Sequence, residues 1–128
     1  MTMQNIKQRL AETAAFIKSQ TKVAPIIGYL TGTGLGESAD AMVIDASIKY
    51  VDIPHFPVST VQTHRGCLLT GDMNGCPAIA MQGRFHFYEG YSMKEVTFPV
   101  RVLKFAGITH LFVSNASGGL NPDWNVGE

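Results

Sequence analysis

Residues 24–36 read APIIGYLTGTGLG, and the order of residue types along this stretch decides the class of fold. The apolar run 24–30 is bounded by Pro and Gly, is too short for a helix and lacks polar alternation, so it predicts a strand buried on both faces. The strand passes directly into TGTGLG at 31–36. There the glycines free backbone N–H groups to turn toward an anion, and Thr31 or Thr33 adds a hydroxyl. Residues 108–121, ITHLFVSNASGGLN, repeat the pattern with a second predicted buried strand, over 108–115, and a second glycine-rich turn.

Helices are predicted around these strands. Ile6, Leu10, Ala14 and Ile17 recur at helical spacing and predict an amphipathic helix over 3–20. Ser92 and Glu95 form a capping box that opens SMKEVTFPVRVLKFAG, with Val96, Val100 and Leu103 on one face and Gly107 as the stop. Pro99 within it costs a hydrogen bond. CLLTGDMNGCPAIAMQG at 67–83 predicts a hairpin turning at Asn74 and Gly75, and residues 42–53 predict one or two further strands. Strands alternating with helices and ending in glycine-rich loops give an α/β fold. Its mixed central sheet is flanked by helices, with ligands expected beyond the carboxyl ends of the strands.

The 128 residues fit one domain, with 45% hydrophobic and only 16% charged residues, an apolar balance that suggests surface hidden against something else. Ten basic and ten acidic residues cancel, so there is no electrostatic footprint for nucleic acid or an anionic membrane. No stretch approaches the ~18 apolar residues of a membrane span, and a cytoplasmic location is expected. Cys67 and Cys76 match no metal spacing, and the hairpin register sets Met73 against Cys76 and Cys67 against Gln82, out of reach for a disulfide.

Two loop chemistries are excluded. The spacing GxGxG, with Glu37 at the third-glycine place, departs from the dinucleotide fingerprint, and no Lys followed by Ser or Thr completes a phosphate loop of Walker type. GRFHFYEGY at 83–91 reads as a strand with Arg84, His86 and Tyr88 on one face and Phe85 and Phe87 packed on the other. Arg84 offers a fork of donors suited to phosphate, His86 a further donor, and Tyr88 a hydroxyl partner for a sugar. Glu89 stands where it can orient His86. His64 lies in the polar loop QTHRG, and the second glycine-rich turn presents the Ala116 N–H to an anion and a flat backbone to a ring. His55 and His110 are expected to be structural, and no metal cluster can be assembled.

Taken together, GTGLG at 32–36, THRG at 63–66, GRFHFYEGY, VTFPVRV at 96–102 and NASGGLNP at 115–122 resemble the trimeric purine nucleoside phosphorylases, from about residue 20 onward. The resemblance implies phosphate-dependent cleavage of purine (deoxy)ribonucleosides to free base and (deoxy)ribose 1-phosphate by a homotrimer, with inorganic phosphate as co-substrate and no cofactor. It implies phosphate ligands Thr33, His64, Arg84, His86 and Ala116, a ribose contact at Tyr88, a base-facing wall of Ala116, Ser117 and Gly118, and catalytic roles for His86 and Glu89. Thr33 stands where the family's loop has serine, and Ser117 replaces an alanine common in relatives. Such chemistry needs no protein nucleophile, because an anchored phosphate dianion both stabilises an oxocarbenium-like sugar and attacks it.

Members of that family are about twice this length, and their purine-reading glutamate and asparagine have no counterpart in these residues. The expectation is therefore the N-terminal part of a single phosphorylase domain, with a phosphate site and without a base site. A methylthioadenosine phosphorylase and an inactive phosphate-binding fragment are the alternatives, the first disfavoured because GRFHFYEG stands where that branch has RHGRxH.

Overall fold

The computed structural model describes residues 3–31, 40–58, 66–115 and 118–126. Helix α1 spans Met3–Gln20, strands β1 to β5 span Ile27–Leu30, Val43–Lys49, Cys67–Met73, Cys76–Gln82 and His110–Val113, and helix α2 spans Met93–Phe105. Short 3₁₀ turns occupy Tyr50–Asp52 and Phe87–Glu89. The strands form one mixed sheet in the order β2-β3-β4-β1-β5. β1 runs parallel to both β4 and β5, while β2, β3 and β4 are antiparallel neighbours. The carboxyl ends of β4, β1 and β5 thus emerge side by side, at Gln82, Leu30 and Val113.

Locally encoded features agree with the expectations. α1 has the expected bounds and buries Leu10, Thr13, Ala14 and Ile17. The hairpin turns at Asn74 (φ 52°) and Gly75 (φ 87°), and pairs Met73 with Cys76 and Cys67 with Gln82; both thiols are free. α2 carries its capping box, Ser92 N–H donating to Glu95 Oε2 at 2.7 Å and Glu95 N–H to Ser92 Oγ at 3.3 Å. Its buried face is Phe98, Pro99, Val102 and Leu103, whereas Val96 and Val100 are only half-buried.

α1 and α2 pack on each other and on one face of the sheet, where Leu30, Ile48, Leu68, Ile79 and Met81 meet Leu10, Ile17, Phe98, Val102 and Leu103. Leu68, Ile79, Val102 and Leu103 are wholly buried, each contributing about 1.5–3 kcal/mol relative to exposure. A smaller cluster of Met42, Leu69, Ala78 and Ala80 covers part of the opposite face.

Two strand expectations need correction. β1 is buried at alternate positions only, Gly28 and Leu30. β5 is shorter than expected and exposed along its whole length, because among the described residues it has a single neighbour, β1. Leu111, Phe112, Val113, Leu120, Trp124 and Val126 are all exposed, which accounts for part of the apolar excess in the composition. No helix among the described residues is long and apolar enough to cross a membrane.

Three surface carboxylates carry a pH prediction. Glu12 is lowered by its hydrogen bond with His55 and then by Gln8, Asp45 by the Lys22 N–H and then Thr21, and Glu95 by the Ser92 N–H. A carboxylate lowered in the folded state binds fewer protons there than when unfolded, so its contribution holds above the ordinary carboxylate range and is lost as pH falls through the folded value. Thermal unfolding followed by circular dichroism should show Tm falling from about pH 4.5 downward, by a modest amount because the pairs are exposed. Asp45→Asn should flatten that fall; an identical slope in the variant contradicts the assignment.

Candidate active site

The site begins where β4 ends. Gly83 adopts φ 90°, a left-handed conformation that glycine tolerates and that turns the chain out of the sheet. Residues 84–86 lie outside the sheet, His86 with extended backbone, and Phe87–Glu89 form the 3₁₀ turn. This corrects the strand expected for GRFHFYEGY. Only Phe85 is buried; Phe87 and Tyr88 are 63% and 81% exposed. The two-residue period gives way to the three-residue period of a 3₁₀ turn, which places His86 beneath Glu89.

The side chains nevertheless form one hydrogen-bonded row. Arg84 Nη1 donates to the Ser114 carbonyl at 3.0 Å, and Arg84 Nε donates to His86 Nε2 at 3.4 Å. His86 Nδ1 lies 2.8 Å from Glu89 Oε1. An arginine can only donate, so Nε2 accepts and the neutral ring carries its proton on Nδ1, which donates to Glu89. The Tyr88 ring stacks on His86 at 4.8 Å between centroids and 20° between planes.

The strand ends form the floor. Thr31 Oγ1 donates to the Met81 carbonyl at 3.1 Å, and Ser114 N–H donates to the Leu30 carbonyl at 3.0 Å. β4, β1 and β5 are therefore tied together just beneath Arg84. A cavity of about 340 Å³ opens there, lined by Leu30, Met81, the segment 84–88 and the Val96–Val100 face of α2 without Phe98. Val96 and Val100 are half-buried here, Val100 also packing against the core. Thr97 satisfies its own hydroxyl on the Met93 carbonyl, so the α2 wall stays largely apolar.

Of the predicted site residues, the structure brings Arg84, His86, Tyr88 and Glu89 together. Gly118 is exposed and does not line this cavity. Thr33, His64, Ala116 and Ser117 lie outside the described residues. His55 pairs with Glu12 at 2.8 Å and the exposed His110 meets the neighbouring Thr109 hydroxyl, both away from this cavity. No cluster able to hold a metal ion occurs among the described residues. A larger cavity of about 510 Å³ between α1, α2 and residues 55–58 contains none of the predicted site residues.

Sequence reasoning missed three groups. Ser114 acts through its carbonyl, which no residue type reveals. Tyr91 donates to the Val58 carbonyl at 3.1 Å, and Tyr50 donates to the Gly83 carbonyl at 2.5 Å. Tyr50 lies in the stretch 42–53, read only as strand, and Tyr91 closes GRFHFYEGY, whose alternation singled out Arg84, His86 and Tyr88.

Comparison with known proteins points to one group. The chain is 52% identical over 123 residues to purine nucleoside phosphorylase 1 of Bacillus subtilis, covering 96% of this chain and 45% of that one. To the purine nucleoside phosphorylase of Rattus norvegicus it is 47% identical, covering 91% of this chain and 40% of that one. Isoform 2 of the Schistosoma mansoni purine nucleoside phosphorylase, solved with cytosine and ribose-1-phosphate, superposes with a TM-score of 0.85 at 40% identity, covering 90% of this chain and 40% of that one. The chain thus spans less than half the length of these relatives. Residues 26–128, which include all five described strands and the Arg84 row, match the phosphorylase superfamily model, and the chain belongs to that superfamily.

Proposed function

We propose that this chain forms the phosphate- and ribose-binding part of a purine nucleoside phosphorylase, one portion of a single domain, which cleaves purine (deoxy)ribonucleosides with inorganic phosphate. The observation that supports this most is the Arg84–His86–Glu89 row at the joined carboxyl ends of three parallel strands, the position where open α/β sheets bind ligands. Arg84 and His86 hold the phosphate, Glu89 orients the imidazole, and Tyr88 reaches the sugar. Thr33, His64 and the Ala116 N–H complete the phosphate shell, and Ala116, Ser117 and Gly118 face the base. No cofactor takes part.

When phosphate enters, an Nε2 that accepts from Arg84 must become a donor to the anion. His86 does this by taking up a proton, with Glu89 balancing the imidazolium on its Nδ1 side. Two cations aimed at the phosphate then hold it in position to attack C1′ as the sugar becomes cationic. By the motif resemblance, the same reading carries homotrimeric assembly, and a cytoplasmic location is proposed with it.

A chimera tests the reading. Residues 26–128 replace the matching stretch of the Bacillus subtilis relative, and release of hypoxanthine from inosine is followed with and without phosphate. Phosphate-dependent release is expected. A folded chimera that releases no base, or releases it without phosphate, overturns the proposal.

A further inference from the structure

Tyr50 contacts two glycines, Gly66 and Gly83, each belonging to a motif that carries a proposed phosphate ligand. It follows β2, is 6% exposed, and packs its ring on Phe56 at 5.5 Å and Phe85 at 5.3 Å between centroids. Its N–H donates to the Gly66 carbonyl at 3.1 Å. A Cβ built on Gly66 would lie 2.1 Å from the Tyr50 ring, so only glycine admits the ring there. Its hydroxyl donates to the Gly83 carbonyl at 2.5 Å. Gly66 ends the motif THRG, which contains His64, and Gly83 immediately precedes Arg84.

We infer that Tyr50 is a positioning residue for the phosphate site, its hydroxyl fixing the peptide plane from which Arg84 departs. The inference rests on the phosphate reading above. The Gly83 carbonyl and the Arg84 N and Cα share one planar peptide unit, so anchoring the oxygen places the Arg84 Cα and the N–Cα bond about which its side chain turns. Gly83 adopts a left-handed φ and has no side chain of its own to hold that plane. Ring packing against Phe56 and Phe85 needs only a phenyl group; the hydroxyl has the separate task. Burial raises the phenol well above its ordinary value, so it remains a protonated donor across the working range.

The test compares Tyr50→Phe with Thr13→Val, each removing one buried hydroxyl that donates to a distant backbone carbonyl, Thr13 doing so to Pro54 at 2.8 Å. Inorganic phosphate is titrated calorimetrically into the 128-residue chain, and the His86 ring nitrogens are followed by NMR. Tyr50→Phe should weaken phosphate by about tenfold, since small misplacements of a binding group are costly, and should shift the free-state His86 signals. Thr13→Val should change neither. Unchanged affinity in Tyr50→Phe beside a binding wild type overturns the inference. If the wild type does not bind phosphate, the phosphate reading fails by itself, and unmoved His86 signals in Tyr50→Phe then decide against Tyr50.

Discussion

Arg84→Ala is expected to weaken the binding of inorganic phosphate by about 10–100-fold, the range corresponding to ~1.5–3 kcal/mol for hydrogen bonds to a charged group. A guanidinium has five N–H donors; contacts to Ser114 and His86 use two of them, leaving others for the cavity. The Ser114 contact matters because it stops the side chain from swinging free of the strand ends. Truncation removes the charge, the fork and the hydrogen bond that fixes His86 on its Nε2 side. Arg84→Lys should fall between wild type and alanine, since it keeps a charge and loses the planar fork. Calorimetric titration measures all three. Equal affinity in wild type and Arg84→Ala would remove this row from the phosphate site.

The largest effect on stability is expected at Gly71. A Cβ there would lie 2.0 Å from the Val43 carbonyl oxygen and 3.0 Å from the Ile44 Cα, both backbone atoms that cannot rotate away. The clash falls where β2 crosses β3 with a register shift between Ile44 and Ala46. Relief requires moving β2, an edge strand whose inner end carries Ile48 in the core and leads into Tyr50. Gly71→Ala should therefore destabilise the chain by about 3 kcal/mol, at the upper end for overpacked sites. Urea unfolding measures the loss. Gly118→Ala is the control, because its added Cβ meets nothing within 4 Å. A Gly71→Ala variant as stable as wild type would contradict the described β2–β3 approach.

What could be read from the sequence was what neighbours in the chain decide. The α1 stripe, the Ser92–Glu95 cap and the Asn74–Gly75 hairpin are local, and the hairpin set the cysteine register without further information. Four of the candidate residues, Arg84, His86, Tyr88 and Glu89, do lie together. Their arrangement was not legible. Alternation across GRFHFYEGY predicted shared faces at i and i+2, but the left-handed Gly83 ended the strand and the 3₁₀ turn substituted an i, i+3 pair, His86 with Glu89. The burial expected for β5 failed for another reason, since burial depends on neighbours that a strand's own residues do not specify. Tyr50 acts on Gly83 from 33 positions away, and no local spacing encodes that contact.

The most direct measurement is phosphate titration of the wild-type chain with the His86 ring nitrogens observed by NMR. The account predicts a saturable shift with one phosphate per chain, in which the Nε2 signal changes from acceptor to donor while Nδ1 keeps its partner in Glu89. A His86 that does not respond to phosphate, or drifts without saturating, would contradict it.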